Sequence, residues 1–542
     1  MRSSRFTVQR SRRPGEAGRP PRLSSSPPRL VPRSPSGRRR YTEGAGRRSD
    51  VRRADGPLSD GGDHPREACG VFGVYGPGED VARLTFYGLY SLQHRGQESA
   101  GIATSDGGPV RLRTGMGLVS HVFDEPDLAR LQGHIAIGHT RYSTAGGSLA
   151  RNAQPIVVRD RESGSEIAVA HNGNLVNADV LREDVAAMGV ELHGTADTEL
   201  IAHLLTLAPA GTWEERFHYV MRRVSGAYSL TIMTPDTLFA VRDPLGVRPL
   251  CLGKLGDGWI AASESCALEH LGATIEREVE PGEVVQIDAE GMRSFFPLGP
   301  SERVAGCTLE YVYFARPDSR LSGELIYLAR ERLGEELAHE QPAPPSADLV
   351  IGVPDSGIPA AIGFAREAGL PYRDGLVKNR YVGRTFIQPD QRIRDAGVAL
   401  KLNAMKEVLD GRRVVVVDDS IVRGTTKPRV MDLLRRAGAE EVHVRIASPP
   451  IIAPCHLGVD MATRAELIAA NNTVAEIREH IAADSLGYLS VEGMVRATRR
   501  PSDSLCNGCF TDRYPMDVQD QLPLVAPRAD RELASTRPSR SG

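Results

Sequence analysis

Four β-branched residues in succession, Val414-Val415-Val416-Val417, followed at once by Asp418-Asp419, are the most constraining stretch of this chain. Such a run has no polar face, so it reads as a strand buried on both sides, the setting of a parallel sheet covered by helices. A small-residue turn follows, Arg423-Gly424-Thr425-Thr426, and then Val430, Leu433, Leu434 and Ala437 recur at helical spacing. Strand, turn and helix in that order put the turn at the carboxyl edge of the sheet. There the N–H groups of the turn and of the helix N-terminus point at one place, which suits a phosphate. The two aspartates just before it can hold sugar hydroxyls or a magnesium ion.

A chain of 542 residues has room for two or three domains. It holds no apolar run approaching the roughly 20 residues of a membrane span. The formal charge of −2 conceals an asymmetry: residues 1–53 carry 16 Arg against Glu16, Glu43 and Asp50, so the remainder is acidic and gives no reason to invoke nucleic acid. Seven cysteines, an odd number in a long chain, do not suggest a secreted disulfide scaffold. Residues 1–68 are rich in Arg, Ser, Pro and Gly and lack apolar periodicity, so disorder is expected. They have no apolar signal-peptide core. A transit peptide, an over-long start and a propeptide all fit them.

Five motifs crowd the first ordered part. Cys69 precedes the strand-like Gly70-Val71-Phe72-Gly73-Val74-Tyr75. Gln93-His94-Arg95-Gly96-Gln97-Glu98-Ser99 follows, then Gly138-His139-Thr140-Arg141-Tyr142. His171-Asn172-Gly173-Asn174 comes after the run Ile167-Ala168-Val169-Ala170. Thr195-Ala196-Asp197 opens an apolar helix through Leu200, Ile201, Leu204 and Leu205. Singly, each has a plain alternative: a core cysteine, an Asn-Gly turn, surface charges. The second part begins near Gly306-Cys307-Thr308-Leu309-Glu310 and contains a buried strand, Leu349-Val350-Ile351-Gly352-Val353, ending at Pro354-Asp355-Ser356-Gly357. Lys378, Arg380 and Arg384 lie within seven residues around Gly383, and Cys506-Asn507-Gly508-Cys509 is a CxxC pair, for which zinc is the generic first reading and an iron–sulfur cluster the second.

The string Asp418–Thr426 resembles the signature of type I phosphoribosyltransferases, which bind phosphoribosyl pyrophosphate (PRPP). The motifs over about 69–300 resemble class II glutamine amidotransferases, which are N-terminal-nucleophile hydrolases. Together they resemble the amidophosphoribosyltransferase family over roughly 69–515. The contexts of Cys307, Cys455, Cys506 and Cys509 resemble its iron–sulfur branch. The fold so implied is α/β in two domains: an αββα glutaminase, then a doubly wound parallel sheet. The expected divisions are 1–68 (basic extension or propeptide), 69–300 (glutaminase), 301–455 (phosphoribosyltransferase), 456–515 (a C-terminal segment tied by the cluster) and 516–542 (polar tail).

The resemblance implies roles residue by residue. Cys69 is the nucleophile and its own α-amine the general base, which requires Cys69 to begin the mature chain; amine and thiol have similar pKa values, so the proton moves between them nearly in balance. Arg141 grips the glutamine carboxylate and Asp197 its ammonium. The Asn172 side chain and the Gly173 N–H form the oxyanion hole. Asp418 and Asp419 contact the ribose and, with Ser356, the Mg2+ site. Arg423, Gly424, Thr425 and Thr426 cradle the 5′-phosphate. Lys378, Arg380 and Arg384 belong to a flap that closes over the pyrophosphate and excludes water. The four cysteines hold one [4Fe–4S] cluster. Lys427-Pro428 departs from the serine that relatives often carry after the loop, with no loss of function expected, since proline is tolerated in the first helical turn. Cys251 and Cys266 read as core. The implied activity makes 5-phosphoribosylamine from glutamine and PRPP, the first committed step of purine synthesis. A cytoplasmic homotetramer inhibited by AMP and GMP, with no nucleic-acid or membrane partner, completes the expectation. On sequence alone, a hexosamine-forming amidotransferase and a PRPP-sensing transcriptional regulator stay open as rivals.

Overall fold

The computed structural model describes residues 69–142, 149–161, 163–209, 211–379, 402–459, 461 and 463–518. Arg380, Arg384, residues 1–68 and residues 519–542 lie outside these.

Gly70–Tyr75 is the middle of a seven-stranded antiparallel sheet, flanked by Gly258–Ala262 and Ile135–Arg141. A six-stranded antiparallel sheet packs against it, with Glu166–Leu175 and Gly226–Met233 as neighbouring strands. Period-two alternation sorts the side chains into layers. Val71 and Tyr75 join Ala168, Ala170, Leu238 and Ala240 between the sheets, whereas Phe72 and Val74 turn outward against the helix Val81–Ser91. The other sheet is covered by Ala178–Ala187, Asp197–Leu207 and Trp213–Met221. The layer order is therefore the expected αββα.

The second half is built on a four-stranded parallel sheet in the order Leu349–Gly352, Arg413–Asp418, Glu441–Ile446, Ser485–Tyr488. The four valines are buried on both faces, as their run requires: Val415 and Val417 pack with Leu333, Leu337 and Phe364 on one side, Val414 and Val416 with Val430, Leu434 and Ile477 on the other. The fourth strand, Ser485–Tyr488, comes from beyond residue 455, so the segment expected only as a cluster-bound appendage also completes this sheet.

The two halves share one core. Val176, Ala227 and Val247 of the first pack in the same cluster as Cys307, Leu457 and Val459 of the second. Cys251 and Cys266 are buried.

Candidate functional site

Cys69 stands at the head of the strand Gly70–Tyr75, almost wholly buried, with its Sγ 3.5 Å from the Tyr142 carbonyl. Burial pushes its thiol pKa up, and the Arg141 charge pulls the other way. Its own carbonyl accepts from Arg95 Nε at 3.2 Å. Arg141 ends the adjacent strand Ile135–Arg141 and is paired with Glu98. Asp197 starts the helix Asp197–Leu207, where a carboxylate is favoured by the N-terminal backbone groups. One oxygen accepts from Leu175 N at 3.0 Å and the other lies 3.4 Å from His171 Nδ1. Burial works to raise the Asp197 pKa, but His171 and these N–H donors outweigh it and hold the carboxyl below the usual range. Arg141 and Asp197 both act electrostatically on the Cys69 thiol, so a cation and an anion lie within range of it.

His171-Asn172-Gly173-Asn174 is not a turn. It continues the strand Glu166–Leu175, with Asn172 opposite Ser229 and Gly173 opposite Tyr228. Asn172 Nδ2 lies 3.5 Å from Ser263 Oγ, and that hydroxyl accepts from Val71 N at 2.9 Å, so Asn172 is set beside the Cys69 strand. Gly173 is forced by crowding: a Cβ there would sit 1.9 Å from the Ala227 carbonyl oxygen. A Cβ on Gly458 would lie 2.7 Å from Gly173 Cα, and Asn174 Nδ2 donates to the His456 carbonyl at 2.9 Å. The candidate oxyanion strand thus rests directly on the segment that carries Cys455.

The second candidate site lies at the carboxyl ends of Leu349–Gly352 and Arg413–Asp418. Asp418 and Asp419 are buried there. Asp419 accepts from Ser420 Oγ, and its N–H donates to Asp418 Oδ1 at 2.8 Å. The turn Pro354–Gly357 closes against them: a Cβ on Gly357 would be 3.1 Å from Asp418 Cα. This brings Ser356 to the same edge. Lys378 Nζ donates to Asp355 on that turn at 2.9 Å. Gly424 takes φ +70°, a conformation suited to glycine, and its carbonyl accepts from His480 Nε2 at 3.2 Å. Arg423 pairs with Glu466 at 3.5 Å. Thr426 immediately precedes the helix Lys427–Arg436 without a side-chain capping bond, so Gly424, Thr425 and Thr426 lead into an N-terminus as the sequence implied. As residue types, two carboxylates and a hydroxyl are hard oxygen donors of the kind Mg2+ takes. Lys427, though, places its ammonium on Asp418 Oδ2, with both side chains buried.

The four cysteines lie on three segments that pack against one another. Cys307 is the register partner of Cys506 in a short parallel pair. Thr308 Oγ1 donates to the Cys506 carbonyl at 2.7 Å, and Ile452 N and Ala453 N donate to the Cys509 carbonyl at 3.0 and 3.1 Å. All four thiols belong to one packed cluster, with pKa values raised by burial and, at Cys509, further by the other three. Among the described residues no group of three His, Cys, Asp or Glu side chains closes into a coordination shell. As residue types, buried cysteines are the soft donors that zinc and iron–sulfur clusters take.

Several participants were not singled out from sequence. Glu98 and Arg95 sit within the Gln93–Ser99 motif already noted, but their partners do not. Arg95 forms a buried network with Glu264 and Glu310, and Lys427 carried no signal of its contact with Asp418.

Residues 139–270 match the model of a glutamine amidotransferase domain, and residues 324–447 that of a phosphoribosyl transferase domain. The amidophosphoribosyltransferase of Mycobacterium tuberculosis (strain H37Rv) is 51% identical over 471 residues, 85% of this chain and 88% of that one. That of Bacillus subtilis (strain 168) is 48% identical over 463 residues, 84% and 96% of the two. Among solved structures, the B. subtilis glutamine PRPP amidotransferase complexed with ADP and GMP aligns with TM-score 0.78 at 46% identity, covering 84% of this chain and 98% of that one.

Proposed function

The chain belongs to the amidophosphoribosyltransferase family, and from that premise we propose how its residues divide the reaction. The enzyme forms 5-phosphoribosylamine, glutamate and pyrophosphate from PRPP, glutamine and water, at the entry to purine synthesis. The observation that carries the division of labour is the joining of two unlike sites in one core: a thiol beside a cation and an anion in the first half, and a carboxylate pair beside a phosphate-type loop in the second.

In the first site, Arg141 exchanges its contact with Glu98 for the glutamine α-carboxylate, and Asp197, steadied by His171, takes the α-ammonium. The Cys69 sulfur attacks the side-chain amide carbonyl. The oxygen that gains charge is met by the Asn172 Nδ2–H and Gly173 N–H, each such donor being worth about 2.7–4 kcal/mol in the transition state. The α-amine of Cys69 takes the thiol proton and passes it to the leaving nitrogen, so ammonia departs. Water then releases glutamate from the thioester. This step needs a free amine on Cys69, and with it the removal of residues 1–68.

In the second site, the N–H groups of Gly424, Thr425 and Thr426 take the 5′-phosphate, and Asp418 and Asp419 hold the ribose hydroxyls. Ammonia forms the bond to C1 as the bond to pyrophosphate breaks. Lys378, with Arg380 and Arg384, neutralises the departing group. Asp418, Asp419 and Ser356 would hold Mg2+, which screens the pyrophosphate charge when bound. Cys307, Cys455, Cys506 and Cys509 would hold one [4Fe–4S] cluster as a structural tie. The rivals fall away with family membership.

The ADP and GMP in the B. subtilis structure support purine nucleotides as feedback inhibitors here. We extend the same reading to a homotetramer in the cytoplasm; among the described residues no helix is long and apolar enough to cross a membrane. Purified enzyme supplied with glutamine and PRPP should release glutamate and pyrophosphate one for one. Glutamate release without pyrophosphate would refute the coupled reading.

A further inference from the structure

The loop Arg423–Thr426 is shaped from outside itself. A Cβ on Gly424 would meet Ile468 Cδ1 at 2.5 Å and His480 Cδ2 at 3.4 Å. Both neighbours come from the connection between the strands Glu441–Ile446 and Ser485–Tyr488, which the mechanism does not use. From the same connection, Ile468 N donates to the Val422 carbonyl at 2.9 Å, and Glu466 Oε1 lies 3.5 Å from Arg423 Nε. His480 ends the helix Val474–His480, with its Nε2 3.2 Å from the Gly424 carbonyl oxygen. A carbonyl only accepts, so Nε2 carries the proton.

The backbone that carries His480 is firmly held. Ile477 and Ile481 on either side of it are fully buried and pack with Val414, Val416 and Val430. At the other end of the helix the Thr473 hydroxyl accepts from Glu476 N at 3.3 Å. His480 itself is exposed, so core packing does not account for where its ring lies.

The consequence follows from the planar peptide. The Gly424–Thr425 bond is trans, so the Gly424 C=O and the Thr425 N–H point in opposite directions. A donor that holds the oxygen toward His480 aims the Thr425 N–H to the far side. The same bond polarises the peptide and makes that N–H a better donor. We propose that His480 is a positioning residue for the phosphate loop: its Nε2–H fixes the Gly424–Thr425 peptide so that the Thr425 N–H is presented to the 5′-phosphate of PRPP. His480 touches no reacting atom. The inference rests on the phosphate-loop reading above, and it goes further by naming the residue outside the loop that orients it.

The test compares wild type with His480→Leu, His480→Gln and Gly424→Ala in the purified enzyme, with thermal melts to report folding. Leucine fills the space without a donor, whereas glutamine restores an N–H near the place of Nε2. The readouts are kcat, the KM for PRPP with glutamine and with ammonium, and the inhibition constant of ribose 5-phosphate. That probe presents the 5′-phosphate without the pyrophosphate. His480→Leu should raise the PRPP KM and the ribose 5-phosphate constant by about three- to tenfold, the worth of one hydrogen bond. The rise should be the same with either nitrogen source, with kcat close to wild type, as expected when only binding is lost. His480→Gln should restore both constants. Gly424→Ala should raise them whatever His480 does, since a side chain at φ +70° is strained and meets Ile468. Wild-type constants in His480→Leu beside impaired Gly424→Ala would overturn the role of His480 and leave the phosphate-loop reading standing. Wild-type constants in both would overturn both. An equal loss in His480→Leu and His480→Gln would overturn the hydrogen-bond assignment. Should His480→Leu fail to fold, His480→Ala is judged by the same constants.

Discussion

Arg95 and Glu310 are 215 residues apart and form a two-pronged ion pair, Nη2–Oε1 at 2.6 Å and Nη1–Oε2 at 3.1 Å, with no solvent on either side chain. The same guanidinium holds the Cys69 carbonyl through Nε. Burial works against its charge, but Glu310 and Glu264 more than offset this and keep it protonated. The pair therefore sets the backbone of Cys69 against the segment that opens the second half. Such a pair adds little stability over an apolar replacement, but removing Glu310 leaves two buried guanidinium groups, Arg95 and Arg248, with Glu264 as the one remaining carboxylate of the network.

Glu310→Gln should accordingly cost about 3–5 kcal/mol in urea unfolding. Glutamine-dependent turnover should fall more than ammonium-dependent turnover, because Cys69 loses its brace. A loss under about 1 kcal/mol, the worth of an exposed pair, would show that the contact is inert.

His139 gives the fold a defined acid sensitivity. Its Nε2–H donates to the His171 carbonyl at 3.0 Å, and Nδ1 finds no partner among the described residues. Burial first, and the Arg141 charge with it, lower its pKa to about 3. The unfolded chain binds a proton here near pH 6.5, while the folded chain does not until about pH 3. Between those values the unfolded state holds more protons, so stability rises with pH and is lost on acidification. The slope from this residue is about 1.4 kcal/mol per pH unit. Denaturation at pH 7 and pH 5 should show it, and His139→Gln should flatten the difference. An equal pH dependence in both proteins would contradict this assignment.

The sequence predicts no loss of function from the departure at Lys427-Pro428, yet Lys427 pairs with buried Asp418. Its ammonium must move or share when a cation or ribose binds Asp418. Lys427→Ser should lower the Mg2+ needed for half-maximal activity by about tenfold, the factor of one charge-assisted hydrogen bond. Asp418→Asn and Asp419→Asn should instead weaken PRPP use with either nitrogen source. Unchanged Mg2+ dependence in Lys427→Ser would show that the pair opens at no cost.

What the sequence made legible was local. The run Val414–Val417 announced its sheet, and the spacing of Val430, Leu433, Leu434 and Ala437 the helix after it, because neighbours along the chain decide both. His171–Asn174 shows the limit of local reading: Asn-Gly favours a turn, yet pairing with Gly226–Met233 keeps it extended. The strand Ser485–Tyr488 is too short to declare itself. Contacts such as Arg95–Glu310 and Lys427–Asp418 are made by folding, and nothing in the spacing of their residues foretells them. Arg380 and Arg384 lie outside the described residues.

The start of the active chain is a chemical requirement of the Cys69 mechanism. An amide at Cys69 leaves the thiol without its proton acceptor, so intact-mass measurement of fully active protein should show a chain beginning Cys-Gly-Val-Phe-Gly. Full glutamine activity with residues 1–68 still joined would contradict that mechanism.

The most direct test of two sites joined in one enzyme is Cys69→Ala, assayed for 5-phosphoribosylamine with glutamine and, separately, with high ammonium. The account predicts no glutamine-dependent synthesis and ammonium-dependent synthesis close to that of wild type. A well-folded Cys69→Ala protein that has lost both activities, or kept both, would contradict it.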